Sequence, residues 1–125
     1  MAKGYNANQE RLAEINRLGK ELAKRAGFHC EWCGSKEELR PWDRNPDGEP
    51  ELATLALLCR RCRGMAEGTA ADPSELYTLR NALWSDIPAV CEGVAQVLLR
   101  SGQPWVRDAI EESILDEQTR QRLLT

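Results

Sequence analysis

The segments Cys30-Glu31-Trp32-Cys33-Gly34 and Leu58-Cys59-Arg60-Arg61-Cys62-Arg63 decide how this chain folds. Each carries a C-x2-C pair, and 25 residues separate the two pairs. A C-x2-C places two sulfurs on one side of a tight turn. Two such turns close a tetrahedron around one ion, so the spacing predicts a four-cysteine metal site. Zinc is the expected ion. A rubredoxin-like iron centre also uses two C-x2-C pairs, but the second pair here lacks the glycine that follows in such a knuckle. Gly34 lets the backbone turn after the first pair so that amide N–H groups can point at sulfur. Four thiolates fill a tetrahedral site and leave no position for water or substrate, which makes the expected zinc structural.

Working outward, Leu39 to Trp42 reads as a short strand, and Arg44 to Pro50 is a turn-rich loop. Leu52 to Leu58 is a short apolar segment leading to the second pair. Cys59 to Arg63 begins a short helix limited by Gly64 and Gly68. A knuckle, a hairpin and a helix bearing the second pair make a treble-clef module over residues 28–68. That segment offers few large apolar residues for a core of its own, so it is expected to depend on its metal.

Before the module, Asn8 to Ala26 reads as an amphipathic helix, with Leu12, Ile15, Leu18, Leu22 and Ala26 on one stripe and Gly27 at its end. After it, Asp72-Pro73-Ser74-Glu75 combines an N-cap, a proline at the first helical position and a glutamate two residues on. A helix through about Leu83 follows. A second starts at Ser85-Asp86-Ile87-Pro88, bears Val90, Cys91, Val94, Val97 and Leu98, and ends at Gly102. A third begins at Pro104, and Glu117 to Leu124 forms a last turn or two. The expected class is mainly α with a small β-hairpin. The expected organisation is one domain over residues 1–125: an N-terminal helix (1–27), the zinc module (28–68) and a helical bundle (69–125).

The net charge is −3. Residues 1–29 hold six Lys/Arg against three Asp/Glu, residues 30–63 six against seven, and residues 64–125 five against ten. Nucleic-acid-binding domains show a basic excess, which here is only local. Arg60, Arg61 and Arg63, with Lys24 and Arg25 at the end of the first helix, are the candidate phosphate or partner contacts. The arginines and Lys36 can equally offset the charge of a four-thiolate site. No apolar run approaches the ~20 residues of a membrane span. The opening Met1 to Asn6 has no apolar stretch to serve as a secretory signal, so a cytoplasmic protein is expected, in a compartment that keeps thiols reduced.

The single histidine, His29, leaves no His pair for a catalytic metal, and no Ser-His-Asp arrangement or phosphate-binding glycine loop is evident. The chain therefore reads as a non-enzyme. Cys91, on an apolar helix stripe, reads as a buried small hydrophobe. Trp84 and Trp105 read as core anchors, and Trp32 and Trp42 as flanking, exposed positions of the module.

Two family resemblances follow from these residues. Cys30 to Arg63 resembles the HNH endonuclease module in its Cys-x2-Cys-Gly, Leu39, Pro46, Asp47-Gly48, Leu52, Leu55 and Leu58-Cys59-Arg60-Arg61-Cys62. That resemblance implies the treble-clef scaffold. Asp43, Thr54 and Arg63 stand where the family has its general-base histidine, an asparagine and a last histidine, which implies that nuclease activity is lost. The whole chain resembles the PhnA-like bacterial proteins, through Ala2-Lys3-Gly4-Tyr5, the first helix, Cys30-Glu31-Trp32-Cys33-Gly34 and Asn81-Ala82-Leu83-Trp84-Ser85-Asp86-Ile87-Pro88-Ala89-Val90. The functional expectation is a zinc-binding interaction or regulatory protein with a protein partner. The alternative is a nucleic-acid-binding module on a nuclease scaffold that has lost its catalytic residues.

Overall fold

The apolar run Leu55-Ala56-Leu57-Leu58 lies at the centre of the molecule, buried at all four positions. In the computed structural model, which describes the backbone of residues 2–125 and the side chains of residues 9–125, these residues form β2. They pair antiparallel with β1, Arg40–Asp43, in the register Arg40 with Leu58 and Asp43 with Leu55. Successive strand side chains point to opposite faces. Leu55 and Leu57 therefore join Leu18 and Leu22 of α1 (Ala2–Arg25) in one apolar cluster. Ala56 and Leu58 turn the other way, into the larger core built around α4 (Pro88–Ser101). A strand covered on both faces reads as a continuous apolar run rather than an alternating one.

The remaining elements are α2 (Arg60–Ala66), α3 (Pro73–Leu79), α5 (Val106–Glu112) and α6 (Glu117–Leu124). Short 3-10 turns at Leu52–Thr54 and Arg80–Trp84 precede β2 and follow α3. The class is thus mainly helical with one two-stranded hairpin. The α3 start is as its sequence implies: Asp72 accepts from the Glu75 amide at 3.0 Å, and Glu75 accepts from the Asp72 amide at 3.3 Å. Gly102 ends α4 in the left-handed conformation, φ +74°, which a glycine adopts without steric cost.

Several expectations change. The first helix begins at Ala2, not Asn8, and Leu12 is 47% exposed, because the hairpin covers only the C-terminal half of its apolar stripe. The helix expected through Leu83 is α-helical only to Leu79 and then tightens into the 3-10 turn. Residues 28–68 do carry large buried apolar side chains: Trp32, Leu55, Leu57, Leu58 and Met65. They share their apolar clusters with α1 and α4, so the module's core is continuous with its neighbours.

The assignments of Trp32 and Trp84 reverse, whereas Trp105 packs against the larger core as expected. Trp32 is buried, and its indole N–H donates to the Val90 carbonyl of α4 at 3.1 Å. Trp42 meets it edge-on, with ring centroids 5.4 Å apart. Both rings close over Gly93, where an added Cβ would come within 2.8 Å of Trp42 and 3.1 Å of Trp32. Trp84 is exposed, and Trp105 is half-buried, edge-on to Tyr77. The glycine gap in α4 accepts the two rings nearest the cysteines.

Candidate metal centre

The first pair is shaped by local backbone bonds. The Cys30 amide donates to the Ser35 carbonyl at 2.7 Å, and the Gly34 amide donates to the Cys30 carbonyl at 2.9 Å. Gly34 has φ +83°, a conformation that would strain a residue with a Cβ. The second pair opens α2: Cys59 is the N-cap, and its sulfur accepts from the Cys62 amide at 3.4 Å. The hairpin brings the two turns together. The four sulfurs of Cys30, Cys33, Cys59 and Cys62 all lie within 4.8 Å of one another. Cys33 and Cys59 sulfurs are 3.6 Å apart. A tetrahedral ion with metal–sulfur bonds of about 2.3 Å needs sulfur–sulfur edges of about 3.8 Å. The donor set therefore fits a soft, tetrahedral divalent ion. Cys91 stands outside the cluster as a buried thiol, pushed up in pKa first by that burial.

Crowding of the sulfurs splits their proton affinities. A hydrogen bond with Cys62 brings Cys30 down to about 4, against the opposing effect of burial. Burial first, and then the Cys30 charge among other causes, pushes Cys33 up to about 11. Cys62 is driven upward by its bond with Cys30, then by burial. One thiolate thus forms at the expense of protons held on its neighbours. A bound dication would abolish this split, because each coordinating thiol gives up its proton.

The knuckle is fastened to the hairpin by Glu31. Its amide donates to the Leu57 carbonyl, and its carboxylate accepts from the Leu57 amide, each at 2.8 Å. Leu57 and Pro41 face each other at a non-hydrogen-bonded position of the ladder, so Leu57 turns its N–H and C=O outward to the knuckle and Pro41 loses no ladder bond. Arg25, at the end of α1, pairs with both Glu31 oxygens at 2.8 and 3.2 Å. It also donates to the Leu52 carbonyl, and to that of Leu55 at 2.7 Å. A single guanidinium therefore joins α1, the knuckle and β2.

The other cations named from the sequence divide into engaged and open groups. Arg61 makes a bidentate pair with Glu75, both contacts at 2.7 Å, tying α2 to the start of α3. Arg63 donates to the Glu38 and Leu58 carbonyls, each at 2.6 Å, and so holds α2 against the hairpin ends. Among the described residues, Arg60 has only a 3.8 Å contact to Glu38, and it is 83% exposed. Lys24 is exposed. Arg25, Arg61 and Arg63 are thus committed within the chain, whereas Arg60 and Lys24 face solvent. Asp43 is likewise engaged: it pairs with Arg11 and accepts from the Asn45 amide at 3.0 Å. The Thr54 hydroxyl is bonded to Glu51. His29 turns its Nδ1 to the Gly27 carbonyl at 2.6 Å and lies outside the cluster.

Cys30, Cys59 and Cys62 are buried, while Cys33 reaches the surface. Cys33 and Cys59 line an open depression of about 620 Å³ with Ser35, Glu37, Glu38 and Arg60. Sequence reasoning identified the four sulfurs but not Glu31, Trp32 or the inward role of Arg25. The acidic residue inside the first pair was the available signal for Glu31. No family model, curated protein or solved structure matches this chain.

Proposed function

We propose that Cys30, Cys33, Cys59 and Cys62 hold one structural zinc ion, and that the chain is a small non-enzymatic zinc-binding protein acting as an interaction module in the cytoplasm. One observation carries this reading: four sulfurs from two turns lie within 4.8 Å. Four thiolates satisfy a tetrahedral ion and leave no site for an activated water. When bound, zinc supplies a cross-link between the knuckle and the N-terminus of α2. The order knuckle, hairpin, helix bearing the second pair supports a treble-clef assignment and agrees with the PhnA-like resemblance. Asp43 and Thr54 are tied into local hydrogen bonds, and Arg63 braces the hairpin. Those roles support a scaffold without nuclease activity.

The disposition of the arginines supports a protein partner over nucleic acid. Phosphate binding draws on cations with free donors, and Arg25, Arg61 and Arg63 spend theirs on Glu31, Glu75 and backbone carbonyls. The test is elemental analysis of the purified protein together with nucleic-acid binding at low salt. The reading expects one zinc per chain and no tight binding. Iron, no metal, or tight binding lost in an Arg60→Ala/Lys24→Ala variant would replace it.

A further inference from the structure

We propose that Cys33 and Cys59 form an oxidant-sensitive pair on the open side of the metal site, coupled by peroxide-class oxidants into a disulfide with release of the ion. This inference rests on the zinc reading, both for the released ion and for the thiolate character of Cys33 and Cys59; the choice of these two sulfurs rests on their exposure and separation. Cys33 is the one member of the cluster at the surface, and Cys30, Cys59 and Cys62 are buried. The depression beside the site is lined by Cys33 and Cys59 and not by Cys30 or Cys62. It is wide enough, at about 620 Å³, for a small oxidant to reach the Cys33 sulfur. The Cys59 sulfur waits 3.6 Å away, on the other turn. Susceptibility of a cysteine follows thiolate character and access. Metal coordination supplies the first to all four sulfurs, so access selects among them.

The chemistry balances as two displacements. The Cys33 thiolate attacks one peroxide oxygen, the O–O bond breaks, hydroxide leaves, and Cys33 becomes a sulfenic acid. The Cys59 thiolate then attacks the Cys33 sulfur and expels a second hydroxide, forming the S–S bond. The two sulfurs together lose two electrons, which the peroxide gains, and two protons from solvent convert the hydroxides to water. Each turn thereby loses one ligand. The ion keeps only Cys30 and Cys62, too few for a closed tetrahedral site. Thiol reductants reverse the bond.

The experiment uses the full chain as purified. Metal content is measured first, so that a metal-free preparation counts against the zinc reading and is scored separately from the pairing. The protein then receives hydrogen peroxide in steps, with zinc followed by a colorimetric chelator and disulfides mapped by alkylation and peptide mass spectrometry. One zinc released per disulfide is expected, with Cys33–Cys59 the first bond to appear, and reducing agent plus zinc should restore the starting state. On the same wild-type protein, a substoichiometric alkylating reagent should label Cys33 several-fold ahead of the other four cysteines, a readout that needs no variant to fold. A first disulfide within either C-x2-C pair, or one involving Cys91, would overturn the proposal. So would zinc-loaded protein that keeps its metal while Cys33 is oxidised, or alkylation that begins elsewhere.

Discussion

The two ends of this molecule are held together by different physics. In the bundle of α3 to α6, fifteen buried apolar residues from Leu76 to Leu115 form most of one core, which reaches the cysteine region through Trp32, Ala56, Leu58 and Met65. Around the cysteines, hydrogen bonds and charge organise the chain: Glu31 on Leu57, Arg25 on Glu31, and Arg63 on two carbonyls. Burial of apolar surface is non-directional and tolerates small shifts. A four-sulfur site and a chain of polar contacts work only at one geometry. The comparison teaches that the knuckle and hairpin are specified by a few directional bonds, each of which matters, whereas stability of the bundle is spread over many side chains. β2 joins the two regions, with one face on α1 and the other on α4.

The largest effect should come from the metal ligands. A Cys59→Ser/Cys62→Ser variant should purify without metal and lose the order of residues 28–68, because metal affinity in small modules is folding free energy on the order of 10 kcal/mol. Elemental analysis with circular dichroism checks this. A Cys91→Ser variant, by contrast, should keep its metal content.

Next is the Arg25 hub. Arg25→Ala leaves a Glu31 carboxylate that is only 7% exposed without its cation. Breaking such a pair costs about 3 kcal/mol. Denaturant titration should show that loss, and adding Glu31→Gln should recover part of it by removing the stranded charge. A double variant no better than the single one would separate Arg25 from Glu31.

A smaller loss is expected at the contact between the two regions. Gly93→Ala gains helix propensity of about 1 kcal/mol, yet its Cβ would meet Trp42 and Trp32 inside van der Waals distance. Overpacking of about 1–3 kcal/mol outweighs the gain. The midpoint should fall, and Trp fluorescence should shift as the rings are displaced. A stabilised variant would show that the rings are not seated on α4. The smallest effect belongs to Arg61→Ala. Its pair with Glu75 is open to solvent, at 48% and 31%, and screened there, so its loss should barely move the denaturation midpoint.

The parts legible in the sequence were those with local signatures. The C-x2-C pairs announced the four-cysteine cluster. The Asp72-Pro73-Ser74-Glu75 box marked the start of α3, and Gly102 marked the end of α4. What escaped depends on partners distant in sequence. Trp32 looked exposed because nothing near it reveals Val90 and Gly93, about sixty residues away on α4. Arg25 looked available for phosphate because helix ends commonly carry basic residues, and its pairing with Glu31 exists only once the knuckle folds back over α1. The run Leu55 to Leu58 carries a weaker signal: four apolar residues without alternation imply cover on both faces, and only the structure shows that α1 and α4 supply it.

Residue-resolved amide hydrogen exchange of the zinc-loaded protein, before and after chelation, tests the central claim most directly. The account predicts that chelation abolishes protection across residues 28–68 and weakens α1 where Leu18 and Leu22 pack, while the α4 amides from Val94 to Leu98 stay protected at a reduced level. Protection that persists unchanged over residues 28–68, or that vanishes from α4 at the same chelator concentration as from the knuckle, would contradict the division into a metal-held and an apolar-held region.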